Sequence, residues 1–150
     1  MGEDGVTEAQ LNELVDLVSD ATVAFIQGDM RRYVASMNHA DDYTLMGPTG
    51  GGTVHGFDGS EARIAEMESF FKSGDATLEV VQTYASGDLA VLVVVEHQHG
   101  VVGDYPAQDW SLRVTLVFRR ESSQWRLAHR HADALVHPIT FDTLAELARG

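Results

Sequence analysis

The apolar side chains of this chain change their spacing half-way along it, and that change limits the folds open to it. Up to residue 73 they recur at helical spacing, with Leu11, Leu14 and Val18 on one stripe. From Ala76 onwards they alternate, as in strands that bury one face. Long strands joined by tight turns curl so that this face packs on helices. We therefore predict an α+β fold, in which N-terminal helices pack on a curved antiparallel sheet to give a cone with an open mouth.

The spacing also predicts the individual elements. Helices are expected at 7–27, directly after Asp29, and from Asp58 or Ser60 to Ser73. The glycine-rich run 47–52 lacks the following Lys-Ser/Thr and helix of a phosphate loop, which favours a hairpin or pocket-rim loop. Strands are expected at 43–46, 76–84, 89–99, 107–120 and 125–136, with a short helix at 142–148. Residues 1–150 are read as one domain, with a core at about 8–137.

Charge and composition exclude several classes of partner. The chain has 23 Asp and Glu against 10 Lys and Arg, a formal net charge of −13, which disfavours nucleic acids and anionic membranes. It has no cysteine, so disulfides, thiolate metal sites and thiol nucleophiles are excluded. It contains no basic, apolar leader and no apolar run near the roughly 20 residues that span a bilayer. We expect a cytoplasmic protein.

A family resemblance lies mainly in the last two predicted strands. Gly28-Asp29 between two helices, residues 112–120, a polar turn and residues 125–131 resemble the nuclear transport factor two-like superfamily. Within it the chain is similar to SnoaL-like and ketosteroid-isomerase-like proteins and to the association domain of calcium/calmodulin-dependent kinase. The resemblance implies the cone fold, a homodimer formed through the sheet, and a pocket between sheet and helices. Its members include isomerases, cyclases, dehydratases, hydrolases and oligomerisation domains, so the activity depends on the site.

The candidate chemistry is proton transfer without a cofactor. Enzymes similar to this family place a carboxylate or a His–Asp pair deep in the cone, where burial raises the carboxylate pKa. His131 and Asp133 share one face of the final strand, and we predict them as the catalytic pair, with Arg113 stabilising negative charge. The predicted function is a small-molecule pocket protein, an isomerase, cyclase or hydrolase acting on an apolar, carbonyl-bearing substrate. The other titratable candidates are Glu96, Asp109 and His55.

The predicted ligand pocket depends on which face of the final strand looks inward. Arg130 alternates with His129 and His131, so one face of the strand carries the arginine and the other carries the histidines. The alternation alone does not determine which of the two faces looks into the cone. Most of the large aromatic residues belong to the core, but the core and the pocket wall of a cone are one surface. The predicted pocket residues are Tyr33, Tyr43, His55, Phe57, Phe71, Trp110 and Arg130.

Two alternative functions stay open. One is a non-catalytic module for ligand binding or oligomerisation. The other is a metal site, since His97, His99, His129 and His131 form two His-x-His pairs, and Zn²⁺ accepts neutral imidazole. Strand 107–120 is expected between the strands that carry these pairs, which disfavours one shared site. The leading interpretation therefore includes no metal and no cofactor.

Overall fold

The computed structural model of the protein describes residues 5–150, in which one mixed sheet of seven strands is accompanied by four helices. The helices are α1 (Glu8–Ile26), α2 (Met30–Ser36), α3 (Glu61–Phe70) and α4 (Phe141–Arg149). The strands are β1 (His39–Met46), β2 (Val54–His55), β3 (Phe71–Ser86), β4 (Leu89–Val102), β5 (Gln108–Asp109), β6 (Leu112–Glu121) and β7 (Gln124–Asp133).

The helices begin where the sequence supplies capping side chains. Thr7 Oγ1 accepts the Gln10 N–H at 3.1 Å, and Gln10 Oε1 accepts the Thr7 N–H at 2.9 Å, which is the predicted capping box. Asp29 caps α2 and Ser60 caps α3 through the same type of bond. These starts are confirmed.

Gly28 makes the turn between α1 and α2. Its φ of +74° favours glycine, and a Cβ there would lie only 2.0 Å from the carbonyl oxygen of Phe71. The turn therefore packs directly on the backbone at the start of β3. Only glycine fits this contact without movement of the chain.

The strands follow the order β2-β1-β7-β6-β4-β3, and β5 pairs with β4. All neighbouring pairs are antiparallel except β1 and β7, which run parallel. Strand β6 lies between β4 and β7, as the sequence predicts. The predicted α+β cone fold is confirmed: helices cover one face of a curved sheet that does not close on itself. No helix within residues 5–150 has the length and apolar character to cross a membrane.

The long strands β3 and β4 extend beyond their predicted ends. β3 begins at Phe71, directly after α3, because Gly74 and Gly100 face each other across the pair. A Cβ at Gly74 would lie 2.6 Å from the His99 carbonyl oxygen and 2.7 Å from Ile26 Cγ1. The missing side chains allow the end of α1 to lie against this part of the sheet. The predicted helix end at Ser73 and strand start at residue 76 were wrong, because α3 ends at Phe70 and β3 follows it directly.

The two faces of the sheet differ in burial. The inner face packs on α1, and on β4 it carries Leu92, Val94 and Glu96, exposed by only 0%, 1% and 2%. The predicted apolar row of β6 is buried on the same face at Val114 and Leu116. The outer face carries the alternate residues, which are half-buried or exposed.

A bulge at Ala128 sets the register of β7. Leu127 pairs with Phe118 and His129 pairs with Val117, so one extra residue lies on β7 between the two pairs. Leu127 and Arg130 therefore both face inward, while His129 and the alternate residues after it face outward. The structure thus assigns the two rows that alternation alone left open.

Candidate functional site

A cavity of about 430 Å³ opens between the inner face of β1, β2 and β7 and helices α1 to α3. We call it the inner cavity. Its volume lies within the range of about 300–1,000 Å³ typical of small-molecule sites. It is lined by Phe25, Tyr33, Tyr43, Leu45, Val54, His55, Gly56, Phe57, Asp58, Arg63, Met67 and Arg130.

Aromatic rings form one wall of the inner cavity and hold one another in place. The Tyr33 ring lies 5.1 Å from that of Phe25 and 6.2 Å from that of Phe57, measured between centroids. Behind them the His39 ring stacks on Phe57 at 3.8 Å and meets Tyr43 edge-on at 4.6 Å. Because each ring contacts at least one other, the wall is formed before any ligand enters.

An ion pair forms the floor of the inner cavity. Arg130 Nη1 donates to Glu96 Oε2 and Nη2 donates to Oε1, both at 2.8 Å. The Glu96 side chain is 3% exposed and that of Arg130 is 23% exposed, so the guanidinium lies between the carboxylate and the cavity. Gln98 Nε2 also donates to Glu96, at 3.2 Å, and the Thr22 hydroxyl, which donates to the Val18 carbonyl at 2.8 Å, lies 3.5 Å from the carboxylate. Burial lowers the pKa of Arg130, but the Glu96 carboxylate outweighs it and holds that pKa above its ordinary value.

Two tyrosine hydroxyls add neutral hydrogen-bond donors. Burial raises the pKa of Tyr33 and of Tyr43, and the nearby charge of Arg130 offsets only part of this. Both hydroxyls therefore stay protonated at neutral pH. Arg130 and Tyr43 give the cavity a small set of donors in an otherwise aromatic and aliphatic wall, while the Tyr33 hydroxyl bonds to His39.

His39 supports one of these hydroxyls. Burial lowers the pKa of His39 to about 4, although a hydrogen bond to the Met37 backbone opposes the shift. The ring is therefore neutral at pH 7, and its Nε2 lies 3.3 Å from the Tyr33 hydroxyl. With the Met37 carbonyl taking the other ring N–H, Nε2 is left to accept from Tyr33.

Sequence comparison decides the family. Residues 14–136 match the SnoaL-like domain family, which is most of the chain. The chain belongs to this family. The predicted resemblance is thereby confirmed, and the cavity is that of a SnoaL-like domain. No curated protein sequence matches the chain significantly.

Solved structures place this SnoaL-like domain within the NTF2-like fold. An NTF2-like protein of unknown function from Pseudomonas putida is 23% identical with a TM-score of 0.63, over 93% of this chain and 94% of its own. An NTF2-like protein from Cytophaga hutchinsonii is 18% identical with a TM-score of 0.64, over 84% and 98%. The association domain of C. elegans CaMKII is 14% identical with a TM-score of 0.62, over 89% and 99%. At these identities the similarity shows the fold alone.

The predicted pocket residues fall into two groups in the SnoaL-like structure. Phe71 lies outside the cavity lining and packs on Phe25, with ring centroids 4.7 Å apart. Trp110 also lies elsewhere, in the break between β5 and β6, where its Nε1 donates to the Gly100 carbonyl at 3.1 Å. Those that line the inner cavity are Tyr33, Tyr43, His55, Phe57 and Arg130.

The predicted catalytic residues lie on the opposite face of the sheet. Arg113 Nε and Nη2 donate to the two carboxylate oxygens of Asp133 at 2.8 and 2.9 Å. Arg113 holds the pKa of Asp133 below its ordinary value. His131 is exposed on this outer face, and its ring lies 6.4 Å from that of His129. The register of β7 therefore keeps all three predicted residues out of the inner cavity, and the predicted proton transfer there is not available to them.

The remaining histidines of the two His-x-His pairs have separate polar partners. On β4, His97 bonds to Glu79 and His99 bonds to Asp109, each at 2.8 Å. On β7, His129 bonds to Thr44 at 2.7 Å. Within residues 5–150, no group of three or more His, Asp or Glu side chains is arranged to hold a metal ion.

Two features of the inner cavity had weak or no sequence signals. Glu96 follows an apolar run in β4 and continues its buried row. A charged residue in a buried row indicates a buried partner of opposite charge, which here is Arg130. His39 gives no comparable signal, because it lies at the junction of a helix and a strand, outside any periodic pattern. Asp58 and Arg63, at the mouth, stand in the loop and helix that follow the glycine-rich run.

Proposed function

We propose that this SnoaL-like chain binds a small, largely apolar molecule with a carbonyl oxygen in its inner cavity. The observation that carries the proposal is the Arg130–Glu96 ion pair at the floor of a cavity with aromatic walls. A buried ion pair adds little net stability compared with apolar residues of similar size. Its presence beside an open cavity therefore favours a role in recognition.

The donors of the inner cavity match an oxygen acceptor. Arg130 supplies N–H groups and the protonated Tyr43 hydroxyl supplies an O–H group, while the Tyr33 hydroxyl donates to His39. A hydrogen bond from a charged donor contributes about 1.5–3 kcal/mol. The rings and aliphatic side chains supply the apolar contact that a small molecule needs for the rest of its affinity.

Binding can be tested by NMR titration with acetophenone, an apolar carbonyl compound. We expect shifts at residues of the inner cavity and a dissociation constant that rises about tenfold in Tyr43→Phe, which removes one donor. The matched control is Tyr84→Phe, because the Tyr84 side chain is exposed on the outer face. Absence of binding in the wild type, or equal effects of both substitutions, would refute the proposal.

A catalytic role is a second proposal, and it is favoured by His55 at the mouth of the same cavity. With the carbonyl oxygen of a ligand held by Arg130 and the Tyr43 hydroxyl, His55 would take a proton from the adjacent carbon. The resulting enolate oxygen would be stabilised by the same donors. Return of the proton to another carbon completes an isomerisation that needs no cofactor. This assignment moves the predicted proton transfer from His131 and Asp133 to a residue that lines the cavity.

Exchange of the methyl protons of acetophenone for deuterium measures this step directly. We expect exchange above the buffer rate in the wild type and its loss in His55→Gln. His137→Gln is the matched control, since His137 lies beyond the end of β7 and does not line the cavity. Exchange at the buffer rate in the wild type would remove the catalytic proposal and leave the binding proposal standing.

We also propose that the outer face of the sheet forms a homodimer, as the sequence resemblance implies. Val91, Val93 and Val117 lie on this face, and Tyr84 beside them is 58% exposed. Light scattering after size-exclusion chromatography should give about twice the chain mass. Tyr84→Asp should yield the monomer, and a wild-type monomer at micromolar concentration would refute the proposal.

A further inference from the structure

We propose that Glu96 makes the inner cavity selective for neutral carbonyl ligands and against carboxylates. This inference rests on the ligand binding proposed above and adds the charge of the ligand. An arginine in a small-molecule cavity ordinarily indicates an anionic ligand, because the guanidinium binds a carboxylate through two parallel bonds. In this cavity the protein's own side chain makes those two bonds.

The geometry leaves no second bidentate position on the same edge of Arg130. Nη1 and Nη2 each donate to a different oxygen of Glu96, both at 2.8 Å. The carboxylate also accepts from Gln98 and lies beside Thr22, and both of these residues are buried. A ligand carboxylate would have to displace Glu96 or bind through Nε–H and the second Nη2–H, next to the Glu96 charge. The guanidinium N–H groups not used by Glu96 still suffice for one neutral carbonyl oxygen.

The charge balance of the inner cavity points the same way. Arg130 and Glu96 cancel, and the nearby Tyr33, Tyr43 and His39 are neutral at pH 7. A carboxylate ligand would therefore meet a neighbouring carboxylate with no unmatched cation on the floor.

The mouth of the inner cavity adds no surplus positive charge. Arg63 pairs with Glu66 on the same helix. The backbone N–H of Ser60 holds the pKa of Asp58 below its ordinary value, so that this carboxyl is ionised at neutral pH. An anionic ligand would gain no compensating attraction on its way to the floor.

The test compares acetophenone with benzoate, which has a similar size and carries a full negative charge. In the wild type at pH 7, we expect benzoate to bind at least tenfold more weakly than acetophenone. In Glu96→Gln, which keeps the shape and releases part of Arg130, benzoate should bind at least tenfold more tightly than to the wild type. The readout is the ratio of the benzoate and acetophenone affinities, which should shift towards benzoate.

The matched control is Glu79→Gln, which removes the same charge from the outer face, where Glu79 bonds to His97. Benzoate binding should not change in it. Equal affinity of the wild type for both probes, or the same gain in both variants, would overturn the inference while acetophenone binding upholds the proposed function. If neither probe binds the wild type, both proposals fail together. The wild-type ratio decides the question even if Glu96→Gln does not fold.

Discussion

Removal of Arg130 from the Arg130–Glu96 pair should destabilise the protein more than removal of Glu96. Arg130→Met leaves a carboxylate that is 3% exposed and keeps the Gln98 amide as its donor at 3.2 Å. Loss of one partner from a buried ion pair costs about 3–5 kcal/mol, mainly because the remaining charge stays buried. Glu96→Gln leaves a guanidinium that is 23% exposed and borders the cavity, where water can solvate it. The expected loss in unfolding free energy for Glu96→Gln is therefore that of a hydrogen bond to a charged group, about 1.5–3 kcal/mol.

The cost of Arg130→Met should also depend on pH. In this variant the buried carboxylate would have no cation beside it, and burial without a partner favours the neutral form of a carboxyl group. A group whose pKa is raised on folding loses stability as pH rises through that pKa, so the destabilisation should be larger at pH 7 than at pH 5. Glu96→Gln carries no such group and should show the same cost at both values.

Urea unfolding followed by circular dichroism, at pH 7 and pH 5, measures both effects as changes in the free energy of unfolding. Arg113→Met is the matched control, because Arg113 and Asp133 form an ion pair that is 55% and 36% exposed, and exposed pairs contribute little to stability. The double variant Glu96→Leu with Arg130→Met should recover most of the stability lost in Arg130→Met. Equal costs for the two single variants, or a pH-independent cost for Arg130→Met, would refute the reasoning.

Three further predictions concern single residues. Because burial lowers the pKa of His39 to about 4, only the unfolded chain gains this proton between pH 6.5 and 4, so wild-type stability should fall by up to about 3 kcal/mol as pH falls through that window. His39→Phe should flatten this part of the curve of unfolding free energy against pH, and an unchanged slope would contradict the burial argument. Gly28→Ala should destabilise by more than about 3 kcal/mol, because a positive φ and a 2.0 Å approach to a backbone oxygen act together. Gly87→Ala, with a similar φ and open space, should cost about 1 kcal/mol in the same urea experiment, and similar costs for both would show that the contact is unimportant. Finally, His131→Ala should leave acetophenone binding unchanged in NMR titration; a weakened affinity would place His131 in the site after all.

The period of the apolar residues was sufficient to predict the fold, but not the length of its strands. It predicted the helices, the order of the long strands and the inner row of β6, because burial of one face imposes those spacings. It did not predict that β3 starts at Phe71, since the contact between Gly74 and Gly100 depends on two segments far apart in sequence. It also missed the register shift between Val80 and Gln82. That shift separates Tyr84 from the row of Leu78.

The candidate site could be predicted only in part, for a related reason. Aromatic residues near the helices, such as Tyr33 and Phe57, were correctly expected near the open end, whereas Phe71 and Trp110 are equally aromatic but lie where strands begin. Alternation gave two rows on β7 with no means to choose between them. The choice depends on pairing with β6, and pairing is a property of the folded sheet.

The bulge at Ala128 has a consequence for how this protein can change. Substitutions on the two faces of β7 are largely separable, so the surface histidines can vary without touching the floor of the cavity, and Arg130 can vary without touching the surface. Loss of the Ala128 codon would not exchange these faces. Leu127 would still pair with Phe118 and His129 with Val117, so Arg130 would stay inward and His131 outward. Loss of a codon in the regularly paired part of β7 after the bulge would instead turn the residues beyond it to the opposite face. The bulge thus marks a position at which the strand can lose a residue and keep both of its faces.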